Sequence, residues 1–307
     1  MKVFAVLNPA AGQETQESVR DALARRLGAS HIPYEVHETV EGDRLGDIVR
    51  ARLRDGFDLV VAAGGDGTVS GVVDGLVGSS IPLCIIPTGT GNLIARELGI
   101  STKLDEAVAL IGGATGSRRI DAMRIGGRIF ILNASVGVTA SVVSSATTSL
   151  KNRFGRFAYL WGILLKMFRW RSRYLAVMVD GIADEYRAIE VSIMNCAMVP
   201  KALYSKGPTI RVDDGHLDVF VVGMKTVRDY PGLIFNIVAG RPFDFLWRFI
   251  KVEKRATIRS NVPLQVQADG DIVGTTPIEI EVVPGAVVVL VPEEAVGQNN
   301  PSFAVHG

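Results

Sequence analysis

Metal-binding and redox side chains are scarce in this chain. Its 307 residues include two cysteines, Cys84 and Cys196, and four scattered histidines, His31, His37, His216 and His306, with no Cys-x-x-Cys pair. A zinc finger or ribbon and a disulfide framework are thereby excluded, and both cysteines sit in apolar, strand-like runs where a small buried thiol in a reducing compartment is expected. Long apolar runs are missing too. None approaches the roughly 20 residues needed to cross a bilayer, and the opening Met-Lys-Val-Phe-Ala-Val-Leu is too short for the apolar core of a secretory leader, so it is expected to be the first strand of a cytoplasmic protein. Charge of one sign is not in excess: the net charge of +1 offers no global case for binding nucleic acid. Several nucleotide signatures are absent as well. There is no Gly-Lys-Ser/Thr of a P-loop, and neither His-Arg-Asp nor Asp-Phe-Gly of a protein kinase.

With 48% apolar and 21% charged residues, the chain has the composition of a folded protein, long enough for two cores. Up to about residue 122 it alternates short apolar strands (3–7, 34–37, 58–62, 83–86) with helical stretches (14–27, 44–53, 68–77, 92–98). That pattern predicts an α/β domain whose parallel sheet is covered on both faces. Beyond residue 124 the strands come close together, at 129–134, 174–179, 188–194, 217–222, 256–260, 264–268 and 278–283, interrupted by helical stretches near 150–170 and 226–250. This predicts a second, mainly antiparallel β domain over 123–287, with 288–307 able to return to the first.

The most informative segment is Val60 to Thr68, an apolar strand running into Gly64-Gly65-Asp66-Gly67-Thr68. Glycines lacking Cβ let main-chain N–H groups approach phosphate oxygens, and Asp66 stands where Mg²⁺ or an acceptor hydroxyl could meet it. A tight strand-to-helix turn with Thr68 as a cap is the plainer reading. The third glycine of a dinucleotide fingerprint is replaced by Ser70, which excludes that motif. About twenty residues on, a second apolar strand enters Pro87-Thr88-Gly89-Thr90-Gly91-Asn92. In a parallel sheet these loops and the one at Asn8 lie at the carboxyl ends of strands, where such sheets bind ligands.

Taken with Asn8-Pro9-x-x-Gly12, these loops make the chain resemble the diacylglycerol kinase and sphingosine kinase superfamily of lipid kinases. The likeness continues through Leu150-Lys151-x-x-Phe154-Gly155-x-x-Ala158-Tyr159, Asp213-Asp214-Gly215-x-Leu217-Asp218 and Asp269-Gly270-Asp271. It implies ATP as phosphate donor, held by Asn8, Pro9, Gly12, Thr39, Gly64, Gly65, Gly67, Thr68, Thr90 and Asn92, with Asp66 close to the transferred phosphoryl. It implies Asp271, where bacterial members usually carry Glu, as the base for a lipid hydroxyl of diacylglycerol, phosphatidylglycerol or long-chain-base type. It also implies a structural Mg²⁺ site at Asp214 and the main-chain oxygens of Arg211 and His216. Hard oxygen donors suit Mg²⁺, and a carboxylate base suits phosphoryl transfer; an acidic hairpin turn is the plainer reading of Asp213-Asp214-Gly215.

The chain departs from the family pattern at Leu93, where Asp normally follows Asn92, at Ser70 and Gly71, where Asn-Glu is common, and at Asp271. Residues 150–174 carry seven basic and no acidic side chains among seven aromatics. They read equally as a core helix with solvated ends or as an element docked on the inner face of a membrane; a second aromatic and basic run, 243–251, favours the membrane. No nucleic-acid module accompanies these charges, and a homodimer is compatible with the sequence. NAD kinase, which shares Gly-Gly-Asp-Gly-Thr, and a non-catalytic nucleotide- or lipid-binding regulator are the alternatives.

Overall fold

The computed structural model describes residues 1–9, 16–113, 115–145, 172–197, 208–223, 232 and 247–296. Short apolar runs become the first strands. β1 (Val3–Leu7), β3 (Leu59–Gly64) and β4 (Leu83–Pro87) are buried at every position, so both faces of the sheet are covered, whereas β2 (Tyr34–Glu38) is only partly buried, as an edge strand should be. They pair in parallel in the order β2-β1-β3-β4. The crossovers are α1 (Gln16–Ala29), α2 (Leu45–Arg52) and α3 (Asp66–Leu76), and β4 leads into α4 (Leu93–Glu97) and α5 (Leu104–Ala109). α2 lies directly on α3 because glycine occupies the contact: a Cβ on Gly75 would fall 2.6 Å from Cβ of Val49.

The second half is antiparallel, as its strand spacing predicts. It comprises β5 (Thr115–Ile125), β6 (Arg128–Phe130), β7 (Asn133–Gly137), α6 (Val138–Ser145), β8 (Arg173–Val179), β9 (Ile182–Met194), β10 (Leu217–Gly223), β11 (Trp247–Val252), β12 (Arg255–Ser260), β13 (Gln265–Ala268), β14 (Asp271–Thr275) and β15 (Ile278–Pro292). One fifteen-stranded sheet runs through both halves, in the order β14-β13-β7-β9-β8-β12-β15-β4-β3-β1-β2 with β5, β6, β10 and β11 branching from it. β15 is the joint. Its first residues pair with β12 and bury Ile280 in the second core, while Val287, Val289 and Val291 belong to the first core, where Val289 pairs in parallel with Leu83 of β4.

Several expectations need correction. The helical stretch expected near 226–250 is strand from Trp247 onward, because alternating aromatic residues of β11 pack on β10: Phe220 lies 4.3 Å from Trp247 and 5.1 Å from Phe249, ring centre to ring centre. Residues 226–231 and 233–246, like the expected helix near 150–170 and Gly12, lie outside the described residues. The single strand expected at 129–134 is broken at Ile131 and Leu132, whose N–H groups are drawn to the Asp269 carboxylate. β5 and β14 were not expected, and β9 and β15 run longer than expected.

Candidate active site

The three expected loops do meet. The Asn8 N–H donates to the carbonyl of Ala63 and its side-chain amide to the Thr68 hydroxyl, at 2.9 and 3.0 Å, and the Thr88 N–H donates to the carbonyl of Gly64. The glycines have separate tasks. Gly64 makes room for Thr68, whose side-chain atoms would lie 2.4–2.8 Å from an added Cβ, and Gly89 lets the two loops touch, since its Cβ would fall 2.5 Å from the Gly65 Cα. Only Gly67 of the Gly-Gly-Asp-Gly-Thr motif faces open space. It lies in the first turn of α3, whose N-cap Gly65 offers no side-chain bond to the first amides, so that turn can receive an anion. Thr68 is buried inside this turn and is not its cap.

Asp66 has a more structural part than its place in the motif implies. One oxygen accepts the N–H groups of Leu93 and Ile94, at 2.7 and 3.4 Å, and so caps α4; the other would touch a Cβ on Gly91 at 2.7 Å. Burial pushes its carboxyl above the ordinary range, and the amides at Ile94, Leu93 and Asn92 pull it back. What Asp66 uses at position 93 is the main-chain N–H, which any non-proline residue supplies, while the Leu93 side chain packs on the core. Asn92, in a left-handed conformation, closes the loop through its amide to the Gly89 carbonyl at 2.6 Å.

α3 carries polar residues every fourth position, at Asp66, Ser70 and Asp74, and the last two bind the first half to the second. The Ser70 hydroxyl donates to Asp269 at 2.5 Å, and Asp74 accepts the Ile129 N–H at 2.8 Å. Asp269, in a left-handed conformation, also accepts the N–H groups of Ile131, Leu132 and Asn133. Burial raises its carboxyl, and these four donors oppose the shift. Two residues on, Asp271 points the other way. Its side chain is 68% exposed, with Arg128 of the glycine-tipped β5–β6 hairpin 3.5 Å away.

Between α2, α3, this hairpin and the 269–271 turn lies a cavity of about 520 Å³, lined by Gly67, Ser70 and Gly71 on one wall, by Asp269, Asp271 and Arg128 on another, and closed by Asp43 to Asp47. Of the expected nucleotide residues, Gly67 lines it. Asn8, Gly64, Gly65, Thr68 and Asn92 shape the loops beneath, and Thr39 hangs from the Leu7 carbonyl at the end of β1. Pro9 and Thr90 are exposed and do not line it. Sequence reasoning missed Ser70, Asp74, Asp269 and Arg128 as site-builders, although the i, i+4, i+8 spacing from Asp66 was there to be read.

Asp214 lies elsewhere, on the turn before β10. Its carboxylate lies 3.0 Å from the Nδ1 of His216, beside Asp213, which Arg118 and Arg211 hold, and near Asp121, which takes the N–H groups of Gly215 and Gly285. Burial raises Asp214 and pushes Asp218 up to about 6, with neighbouring aspartates adding to both. Among the described residues no group of three or more His, Cys, Asp or Glu side chains could hold a metal, so a cation here would need main-chain oxygens. Both cysteines are buried thiols, as expected.

Comparison with known proteins bears on this arrangement. Residues 2–125 match the diacylglycerol kinase catalytic domain, and residues 133–291 match the YegS C-terminal NAD kinase beta sandwich-like domain. The chain belongs to the diacylglycerol kinase family. It is a lipid kinase. It is 30% identical over 302 residues to a diacylglycerol kinase of Mycobacterium tuberculosis, covering 95% of each chain, and 25% identical over 300 residues to one of Bacillus subtilis, covering 95% of this chain and 97% of that. The fold matches the crystal structure of a diacylglycerol kinase from Bacillus anthracis, with a TM-score of 0.70 at 22% identity over 96% of this chain and 98% of that one. No helix among the described residues is long and apolar enough to cross a membrane.

Proposed function

We propose that this lipid kinase transfers the γ-phosphoryl group of ATP to a hydroxyl of a bilayer lipid, with Asp271 taking the acceptor proton. The observation that carries the reading is the shared lining of one cavity: Gly67, at the uncapped start of α3, and Asp271, exposed on the facing turn, look into the same space. A triphosphate tail at the α3 N-terminus would gain from the main-chain N–H of Gly67 and the positive end of the helix dipole. As the hydroxyl oxygen attacks the γ-phosphorus, its proton passes to Asp271 and the bond to the bridging oxygen breaks, releasing ADP. Asp66 serves this step by holding α4 and the Gly89–Asn92 loop in place beside the nucleotide. Asn8, Pro9, Gly12, Thr39 and Thr90 complete the nucleotide side, and Arg128, already beside Asp271, is placed to meet phosphoryl charge.

A structural Mg²⁺ would suit the Asp214 turn, where burial and the neighbouring Asp121 and Asp213 disfavour the Asp214 negative charge, a penalty that a hard cation would relieve; Asp214 and the main-chain oxygens of Arg211 and His216 would hold it. Such an ion would supply rigidity to the turn, whose residues do not line the phosphoryl cavity. The acceptor is a lipid of diacylglycerol, phosphatidylglycerol or long-chain-base type, met by a cytoplasmic enzyme resting on the inner face of the membrane. The basic, aromatic segment 150–174 supports that docking at about 1 kcal/mol for each basic residue near anionic lipid; the 243–251 run supports it less, because Trp247 and Phe249 pack on Phe220. Radiolabelled ATP offered together with a mixed lipid extract and NAD tests the reading. Label in the organic phase supports it, whereas label in NADP, or nucleotide binding without transfer, overturns it.

A further inference from the structure

On the sheet face opposite the second core, three neighbouring strands present a buried polar row. Glu190 and Ser192 stand on β9, Ser135 on β7 and Gln267 on β13, with Ser135 directly opposite both Ser192 and Gln267 in register; all four are at most 7% exposed. The residues alternating with them, Ala134, Val136, Val191, Ile193 and Val266, fill the apolar core. An aliphatic side chain at position 190 would pack on a buried strand without desolvating a charge, so the carboxyl calls for a reason.

Its bonds supply one. One Glu190 oxygen accepts the Thr139 N–H at 3.0 Å in the first turn of α6, and the other accepts the Ser192 hydroxyl at 3.2 Å. The Thr139 and Ser135 hydroxyls lie near enough to the same carboxyl to favour its charge. From Ser135 the chain continues in one direction: the Gln267 amide donates to the Ser135 oxygen at 2.9 Å, and the Gly270 N–H donates to the Gln267 carbonyl at 3.0 Å. Gly270 directly precedes Asp271. Donors therefore point head to tail from the Gly270 turn to Ser135, an arrangement in which each bond polarises the next, and Ser135 faces Ser192, whose hydroxyl donates to Glu190. Gly137, opposite Glu190 in register, adopts φ +135°, and a Cβ there would lie 2.2 Å from the Ile189 carbonyl oxygen and 2.6 Å from the Glu190 carboxylate, so the two strands approach closely at this pair.

We propose that Glu190 is a positioning residue: through Ser135 and Gln267 it holds the Gly270 turn that carries Asp271, and through Thr139 it holds the start of α6, so that turn and helix keep one fixed relation. This rests on the reading of Asp271 as the base. Burial, the largest influence on the carboxyl, pushes it up to about 7, against the pull of its donors, which agrees with a group kept in place at a cost in desolvation.

The test combines amide hydrogen exchange in the ligand-free protein with kinetics of label transfer from ATP to vesicles of total lipid extract containing dioleoylglycerol. Glu190→Leu is expected to speed exchange at both Gly270 and Thr139 roughly tenfold, and Gln267→Leu at Gly270 alone. Both should lower kcat roughly tenfold, leaving KM for ATP within about twofold, while Glu190→Gln, which keeps an acceptor for Thr139, should restore most of both readouts. Wild-type exchange at Gly270 in Gln267→Leu, or wild-type kcat in that variant, overturns the proposal even where Glu190→Leu fails to fold. Full activity of Asp271→Asn would instead sink the assignment of the base, and the exchange arm would still read the relay.

Discussion

Two aspartates separated by one glycine have opposite fates. Asp269 is half-buried under four donors, and Asp271 is exposed beside Arg128. Their shared motif could not distinguish them, because the difference arises from where the β13–β14 turn meets α3. The same holds for Asp66, whose place in a glycine loop made it legible as a site residue but whose bond to the Leu93 amide depends on how α4 is set. Leu93, a departure from the family pattern in sequence, costs little in structure, since the amide does the bonding. At Ser70 the account makes a sharp prediction. Ser70→Ala leaves Asp269 one donor short in a half-buried place and should cost about 1–3 kcal/mol in urea unfolding. A loss below about 0.3 kcal/mol would show that this link between the halves carries no weight.

At the level of elements, the parallel strands were readable because five or six continuous apolar residues between turn signals fit little else than a strand covered on both faces. The glycine loops were readable for the same reason of position. β11 was not: its alternating aromatic and basic residues suit a helix or an interfacial segment equally, and only pairing with β10 decides. Nor was the break between β6 and β7, which follows from a carboxylate 136–138 residues away in sequence. The contact of the two glycine loops is the element on which the nucleotide side depends. Gly89→Ala places a Cβ against main-chain atoms of Gly65 that cannot yield, so the loops must part. ATP affinity should fall by at least about tenfold in equilibrium binding with the far-UV circular dichroism unchanged; unaltered affinity would contradict the packing described.

Across the whole molecule, buried acids set the response to pH. Asp66, Asp121, Asp214, Asp218, Asp269 and Glu190 all have carboxyls raised first by burial, the last up to about 7 from an ordinary 4.5. A raised carboxyl holds its proton longer in the folded than in the unfolded chain, so stability falls as pH rises from the unfolded pKa through the folded one. For Glu190 that window runs from about 4.5 to about 7 and is worth on the order of 3 kcal/mol. The lowered carboxyls, Glu35, Asp43, Glu106 and Asp180, act in the opposite sense, with their stability lost only as pH falls below the ordinary carboxylate range. The urea midpoint should therefore be higher near about pH 5.5 than near about pH 7.5, and Glu190→Gln should narrow the gap. Equal midpoints, or an unchanged gap in the variant, would contradict this.

The central claim is that the cavity between α3 and the 269–271 turn aligns a nucleotide phosphoryl with a lipid hydroxyl that Asp271 deprotonates. Its most direct test is the single-turnover rate of label transfer from ATP to lipid by Asp271→Asn, measured with saturating nucleotide. The account predicts a loss of about 10²–10⁴ in that rate at unchanged ATP affinity and an unchanged urea midpoint, since the side chain is exposed. A variant that transfers label at the wild-type rate would contradict it.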